Sequence, residues 1–315
     1  MKKTFCFSLI IFLQVAFSFA QAPVVSNVSF AQRTDGSLIV DIYYDLSDGD
    51  GETKTIQVEA SNDNGSTWDL TCTSLTGDVG SGVTLGTGKH IVWDFYADNP
   101  DESGSQYKVR ITASEVGTMT GNDGKTYATV KIGSQWWMAE NLKETQYRNG
   151  DAIPVETDNA TWAGLSTGAR CAYNNSETTA NTYGYLYNWY AVDDSRFIAS
   201  SGWHVPSDAE WSTLSTYLGG TNVAGGKMKE IGTSKWLSPN TSATNESGFT
   251  AFPGGARTYN SGTYYELGEK SKFWSTTDEG YSDDAWMRFL TYNRSLIYFA
   301  WGYKKNGYSI RLVKD

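Results

Sequence analysis

The chain is predicted to be β-rich in two parts, an all-β sandwich followed by an α+β domain. Three observations lead there. Residues 23–115 alternate apolar and polar positions with period two and contain no helical window. Ten of the twelve Trp fall after residue 116, so the composition changes at that point. The second part holds one helix with a complete set of start, stripe and stop signals, set among further short strands. A length of 315 residues agrees, because single cores stop growing near about 250–300 residues.

The first twenty residues read as a secretory signal peptide. Lys2-Lys3 begin a positive region, Phe5 to Phe17 is apolar, and Ser18-Phe19-Ala20 places small residues before a cleavage point near Ala20. The apolar run is too short for a comfortable membrane span. Cys6 has no small residue before it, so lipoprotein modification is not expected.

The sandwich is assigned to residues 21–115. Leu38, Val40, Ile42 and Tyr44 share one face after an Asp35-Gly36 turn. Ile56, Val58 and Ala60 form a second strand, closed by Asn62-Asp63-Asn64-Gly65. His90 to Phe95 and Tyr107, Val109, Ile111 continue the pattern, with Trp68 and Trp93 expected in the core. Asp48, Asp50 and Glu52 are weak metal candidates. An EF-hand loop counted from Asp48 needs Gly at its sixth position and has Thr53, so a solvated acidic hairpin is the simpler reading. No cofactor is expected, with structural calcium left open. Residues 116–124, with Gly117, Gly121, Asn122 and Gly124, look like a linker to a domain over 125–315.

In that domain Ala128, Val130 and Ile132 alternate, Gly133-Ser134 suits a two-residue turn, and Gln135 to Met138 returns. Residues 144–183 read as a long irregular region and Leu186 to Val192 as a short helix. The best helix follows. Ser207 and Glu210 are spaced as a capping box, Trp211, Leu214 and Leu218 make one apolar stripe, and Gly219-Gly220 stops it. A weaker helix around Val223 to Ile231 carries Gly225-Gly226, which costs it stability. Strands are expected at Lys272 to Thr276, Ala285 to Thr291, Leu296 to Gly302 and Tyr308 to Val313.

Several function classes are disfavoured. The formal charge is -10 with no basic run, so nucleic acid and anionic membrane are poor partners. Past the signal only Cys72 and Cys171 remain. Two buried free thiols are favoured over a bridge between the halves. His90 and His204 lie in different halves, which leaves no triad or zinc cage within one domain. His204 is read as a packed, hydrogen-bonded histidine without a catalytic partner. Adjacent carboxylates such as Asp193-Asp194 and Asp283-Asp284 point different ways, so glycoside hydrolysis is a minor alternative.

Ordered segments then match a family. Thr126-Tyr127, Val130 to Gly133, Gln135 to Leu142, Tyr183-Gly184, Leu186 to Tyr190, Gly202 to Trp211, Ala224 to Lys227, Ser238 to Asn240, Asn245 to Phe249 and Pro253 to Gly255 resemble the Fibrobacter succinogenes major paralogous domain. The same pieces look like a degenerate relative of the formylglycine-generating (sulfatase-modifying) enzymes. Pro206 to Trp211 resembles their helix motif, and Gly307 to Val313 their chain ending. That resemblance implies a C-type-lectin-like fold for 125–315. The first part resembles the sandwich modules, immunoglobulin- or fibronectin-III-like, that precede such domains in bacterial surface proteins. The paired late cysteines of those enzymes are missing, since only Cys171 lies in the domain; Leu312 stands where many family members are expected to carry a Cys, which argues against a Cys171 bridge. Catalysis is therefore not expected.

Recognition remains. Tyr259, Tyr264, Tyr281, Tyr292, Asn293, Arg294, Tyr298 and Tyr303 crowd the last third, and Tyr and Asn suit binding loops. Trp274, Trp286 and Trp301 are expected to fill the core; Ile297, Phe299 and Trp301 share one strand face and Tyr298 the other. The expected function is a secreted or surface-exposed, non-catalytic module of a bacterium that recognises glycan or a surface protein. A structural envelope or matrix spacer and a diversified ligand-display scaffold are the alternatives.

Overall fold

The computed structural model describes residues 23–49, 53–102, 104, 106–278, 280 and 283–315. The first part comprises β1 (Val24–Gln32), β2 (Ile39–Ser47), β3 (Lys54–Ser61), β4 (Leu75–Gly77), β5 (Gly80–Val83), β6 (Gly86–Asp94), the short α1 (Phe95–Asp98) and β7 (Lys108–Thr120). One sheet runs β1-β2-β6-β4, and β5, β3 and β7 pair in a second. Their inner faces supply Val40, Ile42, Tyr44, Ile56, Val58, Ile91, Trp93 and Ile111, the alternation expected of a half-buried strand. Trp93 is in this core as expected. Trp68 is not: it lies half-buried with the Arg110 guanidinium 4.4 Å over its ring.

The second part begins with a hairpin, β8 (Thr126–Ile132) and β9 (Gln135–Met138), around Gly133 at φ 63°. Then come α2 (Asn159–Gly164), β10 (Arg170–Cys171), α3 (Glu177–Tyr183), β11 (Leu186–Tyr187), α4 (Trp189–Val192), β12 (Trp203–His204), α5 (Asp208–Tyr217) and α6 (Thr221–Met228). The chain ends with β13 (Gly254–Arg257), β14 (Tyr264–Leu267), β15 (Lys270–Asp278), β16 (Asp284–Thr291), β17 (Tyr298–Tyr303) and β18 (Val313–Lys314).

The expected linker is largely strand. β7 pairs with β3 through Lys108–Ser114 and then with β8 through Glu115–Thr120, so one seven-stranded sheet, β12-β18-β9-β8-β7-β3-β5, runs through both parts. Ion pairs fasten the crossing: Lys54 Nζ meets Glu115 at 3.0 Å and Asp48 at 2.6 Å, and Lys131 Nζ meets Glu115 at 2.9 Å. Gly117 packs against Thr129 and Trp136 and does not loosen the chain.

Helix α5 forms as its local signals require. Ser207 caps it, the Glu210 carboxylate reaches back to the Ser207 amide, and Trp211, Leu214 and Leu218 are buried. Trp211 stacks on Phe273 of β15 with ring centroids 5.5 Å apart. In α6 the two glycines have a packing reason. A methyl group on Gly225 would strike the Leu296 carbonyl, and one on Gly226 the Ser242 carbonyl.

The long irregular regions are tied together by buried cations that donate to neutral oxygens. Arg257 donates to the carbonyls of Glu156, Thr157 and Gly262 and to Asn159 Oδ1. Lys229 Nζ donates to the carbonyls of Thr241, Thr291 and Arg294, and burial pushes it down to about 8. Arg311, wholly buried, donates to Asn141 Oδ1 and to the carbonyls of Met138, Phe249 and Thr250; desolvation lowers it to about 9. Each cation does locally what a bridging metal or disulfide does elsewhere: it holds several loops at one point. Cys72 and Cys171 are both free thiols.

Candidate functional site

The three-stranded sheet β15-β16-β17 carries the most exposed large aromatic surface in the second part. One face is closed by Trp274, Ala285 and Met287 in the main core, with Ala300 packed against it. The other is covered where α5 packs on β15 and β16. β17, at the sheet's edge, extends past that cover. Its sequence Tyr-Phe-Ala-Trp-Gly-Tyr puts Phe299, Trp301 and Tyr303 on the open face and Ala300 and Gly302 on the closed one. Gly302 has no space for a side chain, because a Cβ there would sit 2.8 Å from the Tyr308 ring.

Phe299 is 38% and Trp301 54% exposed. Trp301 was expected in the core and lies outside it. Trp286, also expected there, is half-buried directly across the strand from Trp301, whereas Trp274 is buried as expected. The Phe299 ring rests on the buried Arg288 guanidinium at 3.9 Å, and Arg288 is anchored by Asp208 at the start of α5. Desolvation lowers the Arg288 pKa despite that carboxylate. The helix thereby positions one ring of the strip.

At the other end Tyr303 packs against Tyr259, centroids 3.9 Å apart and tilted by 36°. Trp301 meets Tyr303 edge-on at 83° and 6.0 Å. Beside them Tyr190, Tyr259, Asp283, Tyr303 and Lys305 line a pocket of about 220 Å³. Asp284 faces Tyr303 across the strands. Its Oδ1 is buried and receives no hydrogen bond, and desolvation and Asp283 raise its pKa.

The residues expected to bind are therefore dispersed. Tyr259 and Tyr303 come together. Tyr298 is on the opposite face, stacked on Phe289 at 4.4 Å. Tyr264 packs on Tyr173 and donates to Asn175 Oδ1, and Tyr292 packs against the core below α5. Asn293 and Arg294 are exposed in the β16–β17 turn, whose carbonyls Lys229 holds. Tyr281 lies outside the described residues, as do Asp50, Glu52 and the expected signal segment. Asp48 is engaged by the Lys54 ammonium, which takes the place a cation would occupy. Among the described residues no group of three His, Cys, Asp or Glu could hold a metal ion. Trp301, Phe299 and Tyr190 are not among the expected binding residues, and Asp283 enters only as one of a carboxylate pair; the small residues Ala300 and Gly302 were the available signal for which face turns inward.

His204, expected to be packed and hydrogen-bonded, has two partners. Nε2 hydrogen-bonds Glu210 at 2.7 Å and Nδ1 Asp315 at 2.6 Å, which raises its pKa above the usual value, chiefly through Glu210. Glu210 uses one oxygen for the cap and the other for the imidazole, and its own pKa lies near 2.

Fold and site define a β-rich chain with an aromatic strand presented at a sheet edge. A family model for the Fibrobacter succinogenes major domain matches residues 130–314, more than half of the chain, and the chain belongs to that family. The match begins inside β8 and ends in β18. No curated protein and no solved structure matched.

Proposed function

We propose that this chain is a secreted or surface-exposed binding module whose ligand seats on β17. The observation that carries the reading is the exposed Trp301 on an edge strand, flanked by Phe299 and Tyr303 and backed by Arg288. Aromatic rings give large contact area at low entropic cost, and they bind glycans and protein side chains alike. A non-catalytic role is part of the proposal: both His204 nitrogens are occupied, and Arg257, Lys229 and Arg311 are spent on carbonyls. In this reading the first part is an immunoglobulin- or fibronectin-III-like sandwich and the second a C-type-lectin-like domain. The two facing sheets and the loop-rich architecture around α5 and α6 are consistent with it.

The test is retention of the mature chain on immobilised polysaccharides and on an array of purified extracellular proteins. Retention on at least one surface, lost in Trp301→Ala, is expected. Failure to be retained on any of them favours the spacer reading instead.

A further inference from the structure

The corner where β17 meets the Tyr259 loop has a more specific chemistry than an aromatic patch. Along a strand, residues two apart are separated by about 6.8 Å. Trp301 therefore stands one ring's length beyond the pocket that Tyr303 lines. A volume of about 220 Å³ is below the roughly 300–1,000 Å³ of sites for drug-sized ligands, which limits the occupant to about one ring. The pocket's polar groups are mixed. Phenols both donate and accept, Asp283 accepts, and Lys305 donates. Next to them Asp284 Oδ1 is buried and lacks a donor.

A ligand matching this set has apolar faces for the rings and hydroxyls that donate and accept, which describes a pyranose. Three alternatives fit less well. A quaternary ammonium would share the pocket with the Lys305 side chain, and Tyr259 and Tyr303 pack on each other at 3.9 Å and do not open as a cage. A uronate or other acidic sugar would bring its carboxylate against Asp283, while the Lys305 ammonium beside it already donates to the Ala163 carbonyl. A flat crystalline polymer needs coplanar rings, and Trp301 and Tyr303 are 83° apart.

We propose that this corner binds the end of an uncharged glycan, with its terminal pyranose in the Tyr190–Tyr259–Tyr303 pocket and the next sugar stacked on Trp301. The proposal rests on the reading of β17 as the binding strand and names its ligand class. Asp283 accepts from hydroxyls of the terminal sugar, and Tyr303 supplies a ring face.

The experiment is calorimetric titration of the mature chain with neutral gluco-, manno-, galacto- and xylo-oligosaccharides of one to six units, and with oligogalacturonates. A neutral series is expected to bind and the uronates not. Asp283→Asn and Tyr303→Ala should each weaken binding at least tenfold. Trp301→Ala should weaken the disaccharide and longer ligands while leaving the monosaccharide unchanged. Tyr303→Phe, which keeps the ring, guards against a folding defect and should retain most of the affinity. Preference for uronates, or neutral binding indifferent to Asp283→Asn and Tyr303→Ala, overturns the proposal. If a protein binds through Trp301 and no neutral glycan does, the strand reading stands and this inference is wrong; if nothing binds, both fall.

Discussion

Arg311 Nε donates to Asn141 Oδ1 at 2.8 Å, joining side chains 170 positions apart inside a fully buried site. Its other two nitrogens donate to the carbonyls of Met138, Phe249 and Thr250. Among the described residues no carboxylate is hydrogen-bonded to the guanidinium; oriented peptide dipoles stabilise its charge, helped at a distance by Glu140. Substituting Arg311→Met would leave four buried oxygens without this donor, each costing about 1–3 kcal/mol less whatever water recovers. A loss of about 3–5 kcal/mol in urea unfolding is expected. A loss below about 1 kcal/mol would mean the carbonyls find other partners.

Gly225→Ala separates helix propensity from packing. In an exposed helix the change would gain about 1 kcal/mol. In α6 the new methyl group meets the Leu296 and Ser295 carbonyls, which are backbone and cannot swing aside. Destabilisation by about 1–3 kcal/mol is expected, the range for overpacking. A higher melting temperature in the variant would show that the contact yields.

Local features were legible in the sequence and long-range ones were not. Ser207 and Glu210 lie three residues apart, so their capping box depends on nothing else in the chain. The second partner of His204, beside Glu210, is Asp315, 111 residues away, and no spacing rule points to it. Gly117 looked like part of a linker because the strand character there comes from pairing with β8. Tyr-Phe-Ala-Trp-Gly-Tyr has large aromatics on one face and one on the other, so period two alone did not say which side faces water. That was decided by Tyr308, whose ring fills the space against Gly302.

The His204 pin makes stability depend on pH. Its folded pKa is raised above the ordinary value of 6.5, so its contribution is fully present below about pH 6.5 and is lost as pH rises through the folded value. Glu210 has the opposite sense: its contribution is present above 4.5 and is lost as pH falls towards about 2. The imidazole is partly exposed, which keeps its share to less than about 1 kcal/mol. In His204→Gln the difference from the parent chain should be larger at pH 6 than at pH 9. An equal difference at both values would place the effect in packing alone.

Glu144 runs the other way. Burial, and then Asp123, pushes its carboxyl up to about 7 from an ordinary 4.5. The unfolded chain releases this proton first, so stability falls between about pH 4.5 and 7 and is level above that. A shift of this size corresponds to on the order of 3 kcal/mol. Glu144→Gln should flatten the unfolding free energy across that window, and an unchanged slope would show that another group carries it.

Trp301 and Trp274 provide the test that separates a site from a core. They lie in one three-stranded sheet, on its two outer strands β15 and β17, and differ in exposure, 0% for Trp274 against 54% for Trp301. Trp274 packs on Tyr308, tilted by 41°, and donates through its indole nitrogen to the Tyr187 carbonyl at 2.8 Å. Trp274→Ala should cost about 3–5 kcal/mol, the range for removing a buried large aromatic. Trp301→Ala should stay within about 0.5 kcal/mol of the parent, as surface changes do. An indole of this size left open at a sheet edge contributes little to folding, so a loss of ligand retention in Trp301→Ala at unchanged melting temperature would assign it to binding. A melting temperature lowered as far as that of Trp274→Ala would instead return Trp301 to the core and remove the basis for the β17 site.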